Sequence, residues 1–234
     1  MFGHNLPGVY IAFEGLEGSG KTTQIHALSH SLTKDYPQKE IVDTREPGGT
    51  PIGEQIRGIL HDTRNKGFCP VGEAYGYATD RAQLIYEVVL PALTKGGIVL
   101  CDRTFLSSLV YQGFAGGLTW ETVWKINEEA VQGIIPDLFV YLRILAEEGF
   151  GRIAKDKRAL DRMEQKDREY FKRCLKGYEW MATESFFADR FLIVDGTLPE
   201  ETITEIIFAR VSGLIEDKEK EARRELDLSA GRRK

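Results

Sequence analysis

The run Gly15-Leu-Glu-Gly-Ser-Gly20-Lys21-Thr22 has the pattern G-x-x-x-x-G-K-[ST]. Glycines reach backbone angles closed to other residues, so successive N–H groups can converge on phosphate oxygens. A helix opening near Lys21 would add the positive end of its dipole. In that arrangement Lys21 reaches the β and γ phosphates and Thr22 ligates the accompanying cation. The implied chemistry is binding of a nucleoside triphosphate; an ordinary glycine-rich turn is the plain alternative. Motors, switches and kinases share such a loop, so the discriminating residues must lie downstream.

Four segments offer them. Thr44-Arg45-Glu46-Pro47-Gly48-Gly49-Thr50 is followed by Ile52-Gly53-Glu54-Gln55-Ile56-Arg57, and Arg45 and Arg57 could meet an acceptor anion or stay solvated. Tyr77 and Arg81 are four apart on a helix and share a face, giving either a ring and a donor fork for a base or ordinary core. Asp102-Arg103-Thr104 offers a carboxylate for magnesium and a guanidinium for phosphate, or a surface ion pair. Ser107, Ser108, Tyr111 and Gln112 add hydroxyl and amide groups close behind. The basic run from Arg152 to Arg162, with Lys155, Lys157 and Arg158 between, reads as a solvated face or as a lid over phosphates.

The elements that must position these residues alternate short apolar runs with helical periodicity, which marks an α/β protein with a mainly parallel sheet. Candidate strands are 9–14, 40–44, 98–102, 138–142 and 191–194. Ile25, Leu28 and Leu32 give a helix one buried stripe immediately after the phosphate loop. Gly72 to Leu93 reads as one long helix whose last turn meets Pro91, and Thr119 to Gln132 as another, stopped by Gly133 and Pro136. A final helix opens at Thr197-Leu-Pro-Glu200 with the spacing of a capping box. Three of the four segments follow a strand, at the crevice where open α/β sheets bind ligands.

In order and spacing, E-G-L-E-G-S-G-K-T-T, T-R-E-P-G-G-T-P-I-G-E-Q-I-R, Y-A-T-D-R-A-Q, C-D-R-T-F-L-S-S-L-V-Y-Q-G, P-D-L-F-V-Y-L and L-D-R-M-E resemble the bacterial-type thymidylate kinases, from about Tyr10 to Val211. The resemblance implies a P-loop nucleoside monophosphate kinase fold, with a five-stranded parallel sheet flanked by helices. It implies a homodimer that transfers the γ phosphoryl of ATP to dTMP with Mg²⁺, giving dTDP for dTTP synthesis. ATP would lie along Gly15, Leu16, Glu17, Gly18, Ser19, Gly20, Lys21, Thr22 and Thr23, with the metal at Thr22 and Asp102. Tyr77, where most members have Phe, would stack on thymine, with Arg81, Gln112 and Ser108 at the base. Arg45, Arg57 and Arg103 would grip the dTMP phosphate near Pro47, with Tyr111 set against the sugar. Glu14 matches a carboxylate near the acceptor sugar. The loop itself holds no arginine, so the catalytic one is assigned to the lid, about residues 150–163, with Arg158 the first choice and Arg152 the second. Thr104 and Arg143 depart from the residues usual at their positions.

The 234 residues fit one kinase domain over 1–216, followed by a charged extension over 217–234. A net charge of −5 supplies no global field toward nucleic acid or an anionic membrane, so any anion must be held by local charge. The longest apolar runs fall far short of the ~18–20 residues that span a bilayer. The first residues lack the pattern of a secretory signal, and three cysteines without a C-x-x-C pair fit reduced thiols in a cytoplasm. Two rival readings stay open. One is another small-molecule kinase, using Glu14 or Asp102 as a base toward a sugar hydroxyl. The other is a slow nucleotide-dependent switch.

Overall fold

The computed structural model describes residues 4–155 and 159–231. Five parallel strands form one sheet: β1 (Val9–Glu14), β2 (Ile41–Arg45), β3 (Ile98–Asp102), β4 (Leu138–Arg143) and β5 (Phe191–Asp195). Their spatial order is β2-β3-β1-β4-β5. Parallel strands need crossovers, and the crossover helices cover both faces, so β1, β3 and β4 are buried almost throughout and read as continuous apolar runs.

The alternation of side chains sorts these strands into two cores. Val9, Ile11, Phe13, Ile98, Leu100, Val140 and Leu142 face α1 (Lys21–Asp35) and α9 (Glu200–Gly231), which contribute Ile25, Leu28, Leu32, Ile203, Ile207 and Val211. Tyr10, Ala12, Val99, Cys101, Phe139 and Tyr141 form the opposite core. That core packs against α3 (Pro70–Leu84), α6 (Trp120–Ala130) and α8 (Arg168–Thr183). The remaining helices are α2 (Pro51–His61), α4 (Leu90–Thr94), α5 (Phe105–Ser108) and α7 (Ala146–Lys155).

Strands β1 and β3 coincide with the sequence expectation, while β2 sits one residue later. The shift brings Arg45 level with Asp102 across the β2–β3 pair. The long helix expected over 72–93 is interrupted. Residues Ile85–Val89 form a π turn, with the Leu90 N–H reaching back to Ile85 O. Pro91 lacks an N–H and its ring clashes with the preceding turn, which accounts for the wider register. A second π turn covers Leu109–Phe114, closed by Ala115 N–H to Val110 O at 2.9 Å, and it carries Tyr111 and Gln112. The Thr197 hydroxyl donates to Asp195 at 2.7 Å rather than taking the capping-box role its spacing suggested.

Helix α9 runs without a break past residue 217. There Lys218 donates to Gly8 O at 2.8 Å and pairs with Asp137, anchoring the helix at the amino-terminal edge of the sheet. Among the described residues, no helix is long and apolar enough to cross a membrane.

Candidate active site

The phosphate loop leaves the end of β1 and enters α1 at Gly20, whose φ of 95° is left-handed and suits glycine. Lys21 folds back over the loop, donating to Leu16 O at 3.0 Å and Gly15 O at 3.2 Å. Burial, reinforced by the charge of Arg103, lowers its pKa to about 8, with Asp102, Glu17 and Glu14 opposing the fall. The loop is braced from outside by α7. A Cβ on Gly18, whose φ is +75°, would meet Gly149 O at 2.6 Å, and a Cβ on Gly149 would meet Glu17 O at 2.4 Å. Two backbones therefore touch where neither position has room for a side chain.

Two cavities flank the loop. The first, about 270 Å³, is lined by Glu17, Arg45, Pro47, Arg57, Tyr77, Arg81, Asp102, Arg103, Ser108, Tyr111 and Gln112 among others. The second, about 500 Å³, is lined by the loop from Gly18 to Gln24 with Arg152, Gly196 and Leu198. Gly18, Lys21 and Thr22 belong to both. Thr23 and Ser19 face only the second, while Leu16 is core and lends the site its carbonyl alone.

Thr22, which lines both cavities, donates its hydroxyl to Asp102 Oδ2 in the first at 2.7 Å. This hydroxyl and carboxylate are hard oxygen donors, suited to a small divalent cation that takes its remaining ligands from phosphates and water. Among the described residues no group of three or more His, Cys, Asp or Glu gathers into a metal cage.

The arginines of the first cavity occupy different environments. Arg45 is paired with Glu54 at 2.9 Å and stays half exposed. Arg57 donates at 2.9 Å to Pro47 O, the carbonyl that follows the cis Glu46–Pro47 bond. Arg103 follows β3 with φ 73°, in the left-handed region that a side chain other than glycine enters at a cost. Its guanidinium donates to Glu17 at 2.9 Å, Tyr178 at 3.1 Å and Ser107 at 3.2 Å, and lies 5.0 Å from the Tyr111 ring centroid. Arg81 is 2% exposed. It pairs with Glu46 at 2.6 Å and also donates to Asn127 and Ser108, so its plane is fixed at the cavity wall. Burial raises the Glu46 pKa to about 7, against the pull of Arg81.

The loop carboxylate on the cleft is Glu17, which accepts from the Tyr111 hydroxyl at 2.8 Å. Burial holds that phenol protonated. Glu14 lies behind the wall, fully buried. It accepts from Thr104 N–H at 2.9 Å, Thr104 Oγ1 at 2.8 Å, Ser107 at 2.6 Å and Tyr178 at 2.9 Å. Burial raises its pKa while these donors and Arg103 oppose the rise. Arg152 donates to Gly18 O at 3.2 Å and Gly196 O at 2.9 Å in the second cavity. Arg158 lies outside the described residues. Arg143 turns from the loop to Glu179, at 2.8 Å.

Sequence reasoning did not single out His61, Glu73, Asn127, Asp161 or Arg162 as partners. His61 bonds Asp161 at 2.7 Å, bringing the end of α2 to the stretch after residue 158. No local spacing signals a contact between residues 100 positions apart.

The family model described as thymidylate kinase matches residues 13–207. A thymidylate kinase of Caldanaerobacter subterraneus subsp. tengcongensis is 44% identical over 191 residues, covering 82% of this chain and 88% of that one. One from Thermoanaerobacter sp. (strain X514) is also 44% identical over 191 residues, with 82% and 91% covered. The crystal structure of thymidylate kinase from Ehrlichia chaffeensis superposes with a TM-score of 0.71 at 24% identity, covering 87% of this chain and 98% of that one, and so shares the fold.

Proposed function

Because the chain belongs to the thymidylate kinase family and is a kinase, we propose that it moves the γ phosphoryl of ATP in line onto the phosphate of dTMP. The observation that carries this reading is the pair of cavities sharing Gly18, Lys21 and Thr22. A triphosphate in the second and a monophosphate in the first would meet end to end at Lys21.

The attacking group is a phosphate oxygen whose second pKa of ~6 leaves it dianionic at pH 7, so no general base is required. Glu14, enclosed by four donors, is poorly placed to act as one, so a sugar-hydroxyl acceptor would have to rely on Asp102. The obstacle is repulsion between two anions, and the chain meets it with positioned charge. Lys21 takes the β and γ phosphates, and Arg152 lines the donor cavity beside Gly18. Arg45, Arg57 and Arg103 hold the acceptor phosphate. Tyr77 lies against the thymine while Arg81, Ser108 and Gln112 meet its edge, and Tyr111 packs near the sugar. Thr22 and Asp102 would hold Mg²⁺, which neutralises phosphate charge when bound. The lid arginine is Arg158 or Arg152.

The product, dTDP, would feed dTTP synthesis in the cytoplasm, a setting consistent with three free cysteines. Val71 and Tyr75 on α3 and Tyr86 in the π turn after it are 43%, 56% and 69% accessible, and are the proposed homodimer contacts. ATP made chiral at the γ phosphorus tests the transfer. In-line attack gives dTDP with inverted configuration, and retention would mean a phosphoenzyme intermediate and a different mechanism.

A further inference from the structure

Glu73 lies on α3, one turn before Tyr77, is 8% exposed and does not line the acceptor cavity. Its two oxygens serve different partners. Oε1 accepts from Gln112 Nε2 at 2.9 Å, and Oε2 pairs with Arg162 Nη2 at 2.6 Å. Arg162 is itself 7% exposed and docked on the end of α2. Its Nε donates to Leu60 O at 2.7 Å and its backbone N–H to His61 O at 3.1 Å.

A carboxylate only accepts, whereas a glutamine amide has one donating and one accepting end. Glu73 Oε1, accepting from Nε2, therefore sets which end of Gln112 it meets, and the accepting Oε1 of Gln112 is left for the cavity that Gln112 lines. We propose that Glu73 is a positioning residue that sets the polarity of base recognition. With Arg162 on its other oxygen, it pins Gln112 so that the cavity offers an acceptor to a pyrimidine bearing N3–H, thymine or uracil. Cytosine, whose N3 is an acceptor, meets lone pairs instead. The inference rests on the reading that Gln112 faces the acceptor base.

Arg162 makes this polarity conditional. Without it Oε2 loses its partner, and the carboxylate is no longer held in one orientation between α2 and Gln112. A carboxylate free to turn away no longer fixes the Gln112 amide, which can then present either end to the cavity. Docking of residues 159–164 and the choice of base thus become one coupled event.

The experiment measures kcat and KM of the full chain with Mg-ATP and either dTMP or dCMP, for wild type, Gln112→Leu, Glu73→Gln and Arg162→Gln. Gln112→Leu tests the underlying reading, and its KM for dTMP is expected to rise about tenfold, the worth of one good hydrogen bond. An unmoved KM there removes that reading and the proposal with it. Given that rise, Glu73→Gln lowers the dTMP to dCMP ratio of kcat/KM about tenfold while KM for ATP stays within about twofold. Arg162→Gln moves the ratio in the same direction, and Arg162→Lys restores most of it. Equal losses on both acceptors, with the ratio unchanged, would show that Glu73 only supports the fold. Should Glu73→Gln not fold, Arg162→Gln decides alone, and an unchanged ratio overturns the proposal.

Discussion

Arg103 donates from Nη2 to Glu17 Oε1 at 2.9 Å, so the arginine that follows β3 and the carboxylate of the phosphate loop hold each other at the wall of the first cavity. The same guanidinium serves Ser107 and Tyr178, and through those two hydroxyls it is tied to the buried Glu14. A loop residue, a strand-end residue and a helix α8 residue are thereby joined into one polar network. A planar fork can satisfy such a set where a point charge cannot.

Arg103→Lys should therefore lower kcat/KM for dTMP by about a hundredfold while KM for ATP moves little. Steady-state kinetics with each substrate varied in turn measure this. An unchanged kcat/KM would show that charge alone suffices at this position.

Lys21 carries a pH signature. Its pKa near 8 lies below the ordinary 10.5, so the ligand-free protein bears a cost for keeping this ammonium charged. The unfolded chain holds the proton more tightly, and the cost is full below about pH 8 and fades as pH rises toward 10.5. Lys21→Met is expected to remove turnover yet raise the thermal midpoint at pH 7. That gain should shrink as the pH climbs through this window. A midpoint gain that does not vary with pH would detach the effect from this titration.

The contact between Gly18 and Gly149 predicts a backbone effect. Gly149→Ala adds a methyl where Glu17 O lies 2.4 Å away, so α7 or the loop must move. KM for ATP should rise about tenfold, with a stability cost of about 1–3 kcal/mol, as for other overpacked sites. Gly151→Ala, where a Cβ meets nothing within 4 Å, serves as the control, and kinetics with a denaturation curve for each variant measure the difference.

Strands β1 and β3 and the helix after the phosphate loop were legible because each is a local pattern of apolar residues bounded by turns. The π turns at Ile85–Val89 and Leu109–Phe114 were not, since a one-residue change of register leaves the apolar stripe almost intact. Site residues followed the same division. Lys21, Thr22, Asp102 and Arg103 stand at strand ends or in the loop, where sequence position implies spatial position, and the structure gathers them. Glu14 and Glu17 are three residues apart and only the second faces the cavity, because β1 turns Glu14 inward onto Thr104 and Tyr178. The Glu73–Arg162 pair joins residues far apart in sequence, and nothing in either segment marks the other as its partner.

If the two cavities hold donor and acceptor phosphates that react with each other across Lys21, turnover must depend on the acceptor. The decisive measurement is release of ADP, followed with ATP and magnesium in the presence of dTMP, dUMP, dCMP, dGMP, thymidine or no acceptor. Release is expected to be fast with dTMP, slower with dUMP and almost absent without an acceptor. Release with thymidine in place of dTMP would move the chemistry to a sugar hydroxyl, and equal release with no acceptor would show that the two cavities do not act together.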